Sequence, residues 1–258
     1  MEYKKLVREH YKKEAEKDQL SINSTMADLN TRRLEIKNIV AFLKANKKCL
    51  EVGCGNGAAS IEISKSRKLD LLSVDFSPEM IALAKKQPTF GAKGKIKFQE
   101  EDVLELKYKN IFDFVFTERC VINLLNQDDQ KKALKNMADA LKPGGSLILL
   151  EAFDDGFQKL NSARKNLGLE PIAPAYHNLY LDKDFVIGYL KSQNLEFVKE
   201  SKFLSSYFFG SRVIYPFFAK AVKKDIKYNT AFSRFFSFLP SFGNYSQIKI
   251  LLFKKIKK

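Results

Sequence analysis

Short apolar runs alternate with longer amphipathic stretches over residues 47–151 of this 258-residue chain. The short runs predict buried strands, and the longer stretches repeat apolar side chains at helical spacing. One predicted helix has Ser77 as its N-cap and Pro78 at its first position. Strands that alternate with helices in this way predict a parallel, doubly wound α/β sheet. The predicted strands are 49–52, 69–74, 96–99, 112–117 and 146–151, and the predicted helices are 58–67, 78–87 and 128–141.

The rest of the chain predicts additions to this sheet within a single domain, 1–258. Residues 2–18 have the polar composition of a surface helix, and residues 28–46 have apolar side chains at helical spacing. Residues 152–181 carry prolines, asparagines and aromatics, which is typical of an inserted segment. A helix is predicted over 182–193. Two further predicted strands, at 195–204 and 248–253, bring the predicted sheet to seven strands. The predicted parts are an N-terminal helical cover (1–46), a core (47–151), an insertion (152–181) and a C-terminal part (182–258).

The net charge of +15 is concentrated at the two ends of the chain. Residues 1–48 hold 12 Lys and Arg against 7 Asp and Glu, residues 49–190 hold 19 against 20, and residues 191–258 hold 14 against 3. A basic surplus can indicate a nucleic-acid partner, but the neutral centre makes that partner less favoured. We interpret the surplus mainly as a lysine-rich solvated surface. The hydrophobic fraction of 45% is enough for a sizeable core, which excludes disordered, collagen and coiled-coil compositions.

Cysteine and histidine are too sparse to predict a metal site. The three cysteines, Cys49, Cys54 and Cys120, have no CxxC spacing, and the chain has only two histidines, so we expect no metal. The N-terminus lacks the apolar region of a secretory signal, and no run of 18 apolar residues is present to span a bilayer. Together with the odd cysteine count, these features lead us to expect a cytoplasmic protein.

Residues 206–245 contain 13 aromatic side chains interspersed with lysines. We favour an aromatic cap packed over the core. The alternative is a patch that makes peripheral contact with a membrane surface.

A glycine-rich loop, GCGNG at 53–57, follows the first predicted strand and opens a helix. Glycines let a backbone turn sharply and approach a ligand closely. Asp75 ends the next strand, 22 residues after Gly53, where a carboxylate can accept hydrogen bonds from ribose hydroxyls. Proteins use this arrangement, a glycine loop after one strand and an acid at the end of the next, to bind either dinucleotides or S-adenosylmethionine. Since Ala58 is allowed at the sixth position of the dinucleotide fingerprint, the spacing alone leaves both ligands open.

Five segments resemble, in order and spacing, the motif set of class I S-adenosylmethionine-dependent methyltransferases. The resemblance implies a Rossmann-like, doubly wound sheet of seven strands with substrate-capping insertions. It also implies S-adenosylmethionine as the cofactor, S-adenosylhomocysteine as the product, and a cofactor-binding role for the core at 47–151. The segments are LEVGCGNGAAS (50–60), LLSVDFSPEMIALAKK (71–86), QEEDVLEL (99–106), FDFVFTERCVINL (112–124) and LKPGGSLILLE (141–151).

The same resemblance implies a role for each matched residue. Glu51 and the glycine loop would hold the methionine part of the cofactor, and Asp75 would bind the ribose. Asp102 would accept a hydrogen bond from the adenine amino group, and Thr117 would lie beside the methyl group. The implied cofactor-binding set is Glu51, Gly53, Gly55, Asn56, Asp75, Phe76, Met80, Asp102, Val103 and Thr117.

Four further segments resemble a subgroup of these methyltransferases that is associated with bacterial surface-polysaccharide genes, including capsule and O-antigen clusters. This resemblance implies methyl transfer to a hydroxyl of a sugar, nucleotide sugar or phosphorylated substituent. The alternative is N-methylation of a small amine or amino sugar. A lipid or RNA acceptor and a catalytically silent cofactor-binding subunit are less favoured. The segments are STMADLNTRRLEI (24–36), TERCVINL (117–124), LNSARKNLGLEPI (160–172) and YHNLY (176–180).

An alcohol acceptor loses a proton when it is methylated, so a base is useful. We predict His177 as that base, because the other histidine lies in a charged N-terminal helix; the competing interpretation is a loop histidine that orders the insertion. Glu118 and Glu151 are alternative bases. Arg119 and Arg164 could hold a phosphate or carboxylate group of the substrate, because arginine binds these groups bidentately. Arg119 is equally interpreted as a structural ion-pair partner. The predicted substrate-binding residues are Arg119, Asn123, Asn161, Arg164, Asn178 and Tyr180.

Overall fold

The structure is a computed structural model that describes residues 2–22, 24, 26–227 and 229–257. Tyr228, one of the aromatic residues of the predicted cap, lies outside the described residues, as does Thr25 of the segment 24–36.

A seven-stranded sheet forms the centre of the molecule, in the order β3-β2-β1-β4-β5-β7-β6. The seven strands and the doubly wound arrangement confirm the prediction. The sheet is mixed because β7 runs antiparallel to β5 and β6. The alternation that predicted parallel strands ends at residue 151, before these last two strands. The strands are β1 Lys47–Val52, β2 Leu69–Asp75, β3 Lys95–Glu100, β4 Phe112–Glu118, β5 Leu141–Ala152, β6 Leu195–Ser201 and β7 Ile248–Lys255.

Helices cover both faces of the sheet, which is why the central strands are almost continuously apolar. The helices that precede the insertion are α1 Glu2–Asp18, α2 Leu29–Phe42, α3 Ala58–Ser66, α4 Pro78–Ala84 and α5 Gln127–Ala140. Those within and after the insertion are α6 Asp154–Asn166, α7 Lys183–Ser192, α8 Ser205–Phe209, α9 Tyr215–Ala221 and α10 Ala231–Phe236, with a π-helical turn at Gly210–Ile214 between α8 and α9.

Several elements differ from the prediction in their boundaries, and one helix was not predicted. α5 ends at Ala140, before Pro143, and β5 begins at once at Leu141, so this strand is longer than 146–151. β6 ends at Ser201 rather than at 204. The insertion 152–181 contains the helix α6, which its polar composition did not indicate.

The aromatic segment 206–245 divides into a buried and an exposed part. Tyr207 and Phe208 pack into the core, each 2% exposed. Phe235 and Phe238 are 59% and 75% exposed. The predicted cap therefore accounts for only the first part of the segment. Within the described ranges, no helix is long and apolar enough to cross a membrane.

The strand order reverses between β1 and β4, since β2 and β3 extend to one side and β5 to the other. In open α/β sheets, ligands bind in the crevice beyond the carboxyl ends of the strands at such a switch point. The fold therefore places a ligand site beside the ends of β1 and β4.

Candidate active site

A cavity of about 1050 Å³, counting its open mouth, lies at this switch point. That volume is close to the upper limit for small-molecule sites, which is roughly 1,000 Å³. The glycine loop forms its floor, Asp75 and Phe76 line one side, and Glu118 and Arg119 line the other. We call it the first cavity.

The glycine loop turns its backbone towards the first cavity. The amides of Gly53 and Cys54 both donate to the carbonyl of Val74, at 2.8 and 3.0 Å. Gly53 has φ +81° and packs so closely that an added Cβ would lie 2.6 Å from the Cβ of Cys120. Gly55 has φ +54° with open space where a Cβ would stand. The loop is therefore a cradle that leaves room for a ligand to approach the backbone.

Asp75 connects this loop to the end of β2. Its Oδ2 accepts from the amide of Gly55 at 2.8 Å, and its Oδ1 accepts from the amide of Ser77 at 2.9 Å. Burial raises the pKa of this carboxyl, although the backbone amides oppose the rise. Each ionised oxygen has a second lone pair. Asp75 can therefore hold the loop and still accept hydrogen bonds from a ligand in the cavity.

Glu51 is a fully buried carboxyl in the lining of the first cavity. Its Oε2 accepts a hydrogen bond from Ser73 Oγ at 2.6 Å. Burial raises the pKa of Glu51 to about 7. A cationic ligand group beside it would favour the ionised carboxylate.

The affinity for S-adenosylhomocysteine, which carries an ammonium group, is expected to increase from pH 6 to pH 8. Because the pKa of Glu51 in the free protein is about 7, roughly one molecule in ten is ionised at pH 6, so binding should be weaker by about tenfold there. Calorimetric titrations at both pH values measure this change. Glu51→Gln should flatten the profile, whereas an unchanged profile in that variant would place the titrating group elsewhere.

Of the other predicted cofactor residues, Phe76, Asp102 and Val103 line the first cavity. One oxygen of Asp102 accepts from the amide of Leu104, and the other lies 3.2 Å from Lys4 Nζ. Both side chains of that ion pair are partly exposed, so it contributes little to stability. Asp102 therefore lies at the rim, where its carboxylate can exchange partners.

Asn56 also lines the first cavity, but its side chain is already bonded. Its Nδ2 donates to the carbonyls of Gln19 and Ser21, both at 2.8 Å, and so fixes the segment after α1. Met80 and Thr117 are fully buried and do not line the cavity in the described part of the chain. Thr117 instead lies beside the carboxylate of Glu151.

Helix α1 covers the first cavity with side chains that the sequence analysis did not single out. Tyr3, Lys4, Val7 and Tyr11 line the cavity from this helix. Residues four apart share one face of a helix. Tyr3, Val7, Tyr11 and Ala15 therefore form a continuous apolar face on an otherwise charged helix. This four-residue spacing is the sequence pattern from which the buried face of α1 could have been predicted.

A buried charge cluster lies between the cover and the sheet. It consists of Arg32 and Glu35 from α2, and Glu118 and Arg119 from the end of β4. Arg32 donates a short hydrogen bond to Glu118, and its Nη1 lies 3.9 Å from Glu35 Oε2. Arg119 Nε lies 3.1 Å from Glu35 Oε1. Arg32 and Glu35 were absent from the predicted site residues, although their spacing places charge on the face of α2 that also buries Ile36.

The two carboxyls of the buried charge cluster have opposite pKa shifts. Burial raises the pKa of Glu35 to about 8, and the nearby Glu118 adds to that rise. Burial acts on Glu118 as well, but Arg32 and Arg119 outweigh it and lower its pKa. At pH 7, Glu118 is therefore ionised, and Glu35 is the carboxyl of the cluster that takes up a proton more readily.

Arg119 lines a second cavity in addition to the first. This second cavity has a volume of about 680 Å³, counting its open mouth. Arg119 has a left-handed φ of +58°, a conformation that is costly for a residue with a side chain and that clusters at functional sites. The other polar residues in its lining are Asp28, Thr31, Asn178, Tyr180, Arg212 and Gln247.

The second cavity brings together two of the predicted substrate residues, Asn178 and Tyr180, with groups that the sequence did not indicate. Arg212 Nη2 donates to Asp28 Oδ2 at 2.5 Å, and its guanidinium lies 4.6 Å from the ring centroid of Phe208. Arg212 lies far along the chain in the π-helical turn, so only tertiary packing assembles this wall.

His177, the predicted base, lies outside both cavities in the described part of the chain. Its ring stacks on His10 of α1, with centroids 3.8 Å apart. Burial and the neighbouring His10 lower the pKa of His177 to about 4. The ring is therefore neutral at pH 7 and joins the insertion to the cover.

Glu151 has its carboxylate occupied by backbone amides. Oε1 accepts from Cys120 and Val121, both at 3.0 Å, and Oε2 accepts from Ile122 at 3.3 Å. The residue is fully buried and does not line either cavity within the described ranges. This placement argues against a role as base and makes Glu151 the group that shapes the loop after β4. Among the three candidate bases, Glu118 is the one that lines a cavity.

Two predicted substrate residues hold the insertion together instead of lining a cavity. Asn161 exchanges two hydrogen bonds with the backbone of Ile172, at 2.9 and 2.8 Å. Arg164 donates to the carbonyl of Glu170 at 2.8 Å and to the carbonyl of Arg212. Both side chains therefore already have partners within the protein, and neither lines a cavity in the described part of the chain.

Asn123 lines the first cavity and donates to the carbonyl of Arg119 at 3.0 Å. Among the residues that the structure describes, no group of three or more His, Cys, Asp or Glu side chains could hold a metal ion.

Residues 49–145 match the family described as "Methyltransferase domain". A demethylmenaquinone methyltransferase from Deinococcus radiodurans is 34% identical over 114 residues, which cover 43% of this chain and 45% of that protein. A carboxy-S-adenosyl-L-methionine synthase from Yersinia enterocolitica is 27% identical over 117 residues, which cover 44% and 43% of the two chains. The chain thus spans less than half the length of these curated relatives.

A solved structure is similar to this chain in fold over nearly its whole length. The magnesium protoporphyrin IX methyltransferase of Synechocystis PCC 6803, solved with bound S-adenosylhomocysteine, superposes with a TM-score of 0.60 at 16% identity, covering 98% of this chain and 99% of that one. The sheet order, the cavity at its switch point and the match over 49–145 agree. The chain therefore contains a methyltransferase domain with the class I S-adenosylmethionine-dependent fold.

Proposed function

We propose that this protein transfers a methyl group from S-adenosylmethionine to a small-molecule acceptor. The observation that carries the proposal is the open cradle beside Gly55, bordered by Asp75, at the switch point of a methyltransferase fold. The cradle fits a ligand that must approach the backbone closely. The carboxyls of Glu51, Asp75 and Asp102 offer acceptors for an ammonium, for hydroxyls and for an amino group.

Bound S-adenosylmethionine supplies a methyl group on a positively charged sulfur. Glu51 would bind its amino group, Asp75 its ribose and Asp102 its adenine. The α1 cover would exclude water from the first cavity. Holding the acceptor and the methyl group in contact supplies much of the rate acceleration in such a displacement. Glu118 lines the first cavity, so it would accept the acceptor's proton where the acceptor reaches the methyl group.

We further propose that the acceptor occupies the second cavity and presents a hydroxyl of a sugar, nucleotide sugar or phosphorylated substituent in surface-polysaccharide biosynthesis. Amide and hydroxyl side chains such as Asn178, Tyr180 and Gln247 suit a ligand rich in hydroxyls. Arg119 and Arg212 line the second cavity, and their guanidinium groups favour an anionic substituent. N-methylation of a small amine or amino sugar is the second candidate, and the ionised Glu118 favours it.

Methyl-labelled S-adenosylmethionine can test this function with two acceptor pools, nucleotide sugars and amino sugars, followed by mass spectrometry. We expect label on an oxygen of a nucleotide sugar. Label on nitrogen would support the second candidate. Binding of S-adenosylhomocysteine without transfer to either pool would overturn the acceptor class, and absence of binding would overturn the cofactor assignment.

His177→Ala is expected to leave the affinity for S-adenosylhomocysteine unchanged and to lower turnover by less than about tenfold, because the ring stacks on His10 outside both cavities. Removal of a general base typically costs about 100- to 10,000-fold. A loss of that size in turnover alone would identify His177 as the base.

A further inference from the structure

The C-terminal part of the chain exposes a group of aromatic rings that the active site does not use. We define the aromatic surface by six side chains that are each at least 38% exposed: Phe217, Phe218, Phe232, Phe235, Phe238 and Phe242. Single exposed apolar residues are normal on a protein surface, but six exposed aromatic rings within 26 consecutive residues indicate an interaction site.

The two helices that carry most of these rings pack beside each other. Tyr215 of α9 and Phe232 of α10 lie with ring centroids 5.6 Å apart. Phe236 of α10 fills the space above Gly210, where an added Cβ would lie 2.1 Å from the ring. These two contacts hold α10 against the run from Gly210 to Tyr215, so the exposed rings of α9 and α10 belong to one packed region of the chain.

Lysines accompany the aromatic surface. Exposed Lys223, Lys224 and Lys227 lie in the segment that joins α9 to α10. Asp225 is the sole acidic residue between positions 201 and 258 in the sequence. A second copy of this chain would place lysine against lysine, so self-association through this surface is disfavoured.

We propose that the aromatic surface docks the protein on an anionic lipid bilayer. Exposed phenylalanines enter the boundary between head groups and acyl chains, while lysines pair with anionic head groups. Each lysine near such a surface contributes through its attraction to the negative surface potential. The proposal does not depend on the proposed methyl transfer.

Docking would also bring the second cavity close to the bilayer. Phe208 and Arg212, which line that cavity, and Phe217 and Phe218 of the aromatic surface belong to one continuous helical run over 205–221. At about 1.5 Å per residue, Phe208 and Phe217 are separated by roughly 13 Å along the helix.

Co-sedimentation with phosphatidylcholine vesicles, with and without phosphatidylglycerol, tests the proposal. The wild-type protein should sediment with the phosphatidylglycerol vesicles, and less of it should do so at high salt. The double variant Phe235→Ser/Phe238→Ser should bind at least about tenfold more weakly, since each ring contributes buried apolar area. Phe90→Ser is the matched control, because Phe90 is 93% exposed outside this surface and its loss should change nothing.

Unchanged S-adenosylhomocysteine binding and circular dichroism would show that the double variant is folded. Wild-type protein that fails to sediment with either vesicle, or a double variant that binds like wild type, would overturn the proposal. Binding of a single-stranded RNA oligonucleotide that requires Phe235 and Phe238, without vesicle binding, would assign the surface to nucleic acid instead.

Discussion

Replacing Asp75 with asparagine is expected to weaken binding of S-adenosylhomocysteine by about 100-fold. Hydrogen bonds to a charged group contribute about 1.5–3 kcal/mol, and the ribose would make its bonds to this carboxylate. The amide also replaces one of the acceptors that hold the amides of Gly55 and Ser77, so the cradle itself would loosen. Isothermal titration calorimetry measures the loss directly.

Asp70→Asn is the matched control for this variant. Asp70 lies near the opposite end of the same strand, β2, and is exposed. It should bind S-adenosylhomocysteine with wild-type affinity. Equal affinities in the wild-type protein and the Asp75 variant would show that the cofactor occupies another site.

Replacing Arg32 with methionine is expected to lower the free energy of unfolding by about 3–5 kcal/mol. Breaking a buried ion pair by removing one partner leaves an uncompensated charge, which is more costly than replacing the whole pair. Without Arg32, Glu118 would lose its short hydrogen bond, and the side chain is almost completely buried. Urea unfolding of both proteins at pH 7 measures the difference.

The adjacent Arg33→Met provides the control, because Arg33 is exposed on the opposite side of α2. Surface substitutions of this kind usually change stability by less than about 0.5 kcal/mol. Equal effects of the two substitutions would mean that Glu118 is solvated in solution and that the buried charge cluster is not formed as described.

The cofactor end of the site could be predicted because its pieces are local. A strand, a glycine turn and a helix follow one another in the chain, and Asp75 ends the next strand. Parallel neighbours place their carboxyl ends at one edge of the sheet, so the glycine loop and Asp75 had to meet.

The acceptor end could not be predicted in the same way. Glu151 leaves β5 at the same edge, and its position suggested a base, but the amides after β4 take up both of its oxygens. Asn161 and Arg164 have binding-competent side chains, yet the nearest groups are carbonyls and amides of their own insertion and of Arg212. Residue type and approximate position do not determine which partner a polar side chain reaches.

The sequence by itself determined the seven strands, the glycine cradle and the acid at the end of β2, because short-range pattern and strand alternation dictate them. Only the tertiary structure decided that Arg32 and Glu35 join Glu118 and Arg119, since α2 and the end of β4 are far apart in the chain and meet through packing. It also decided that Arg212 faces Asp28 across a second cavity. These contacts combine burial with charge, and burial is a property of the folded molecule rather than of any segment alone.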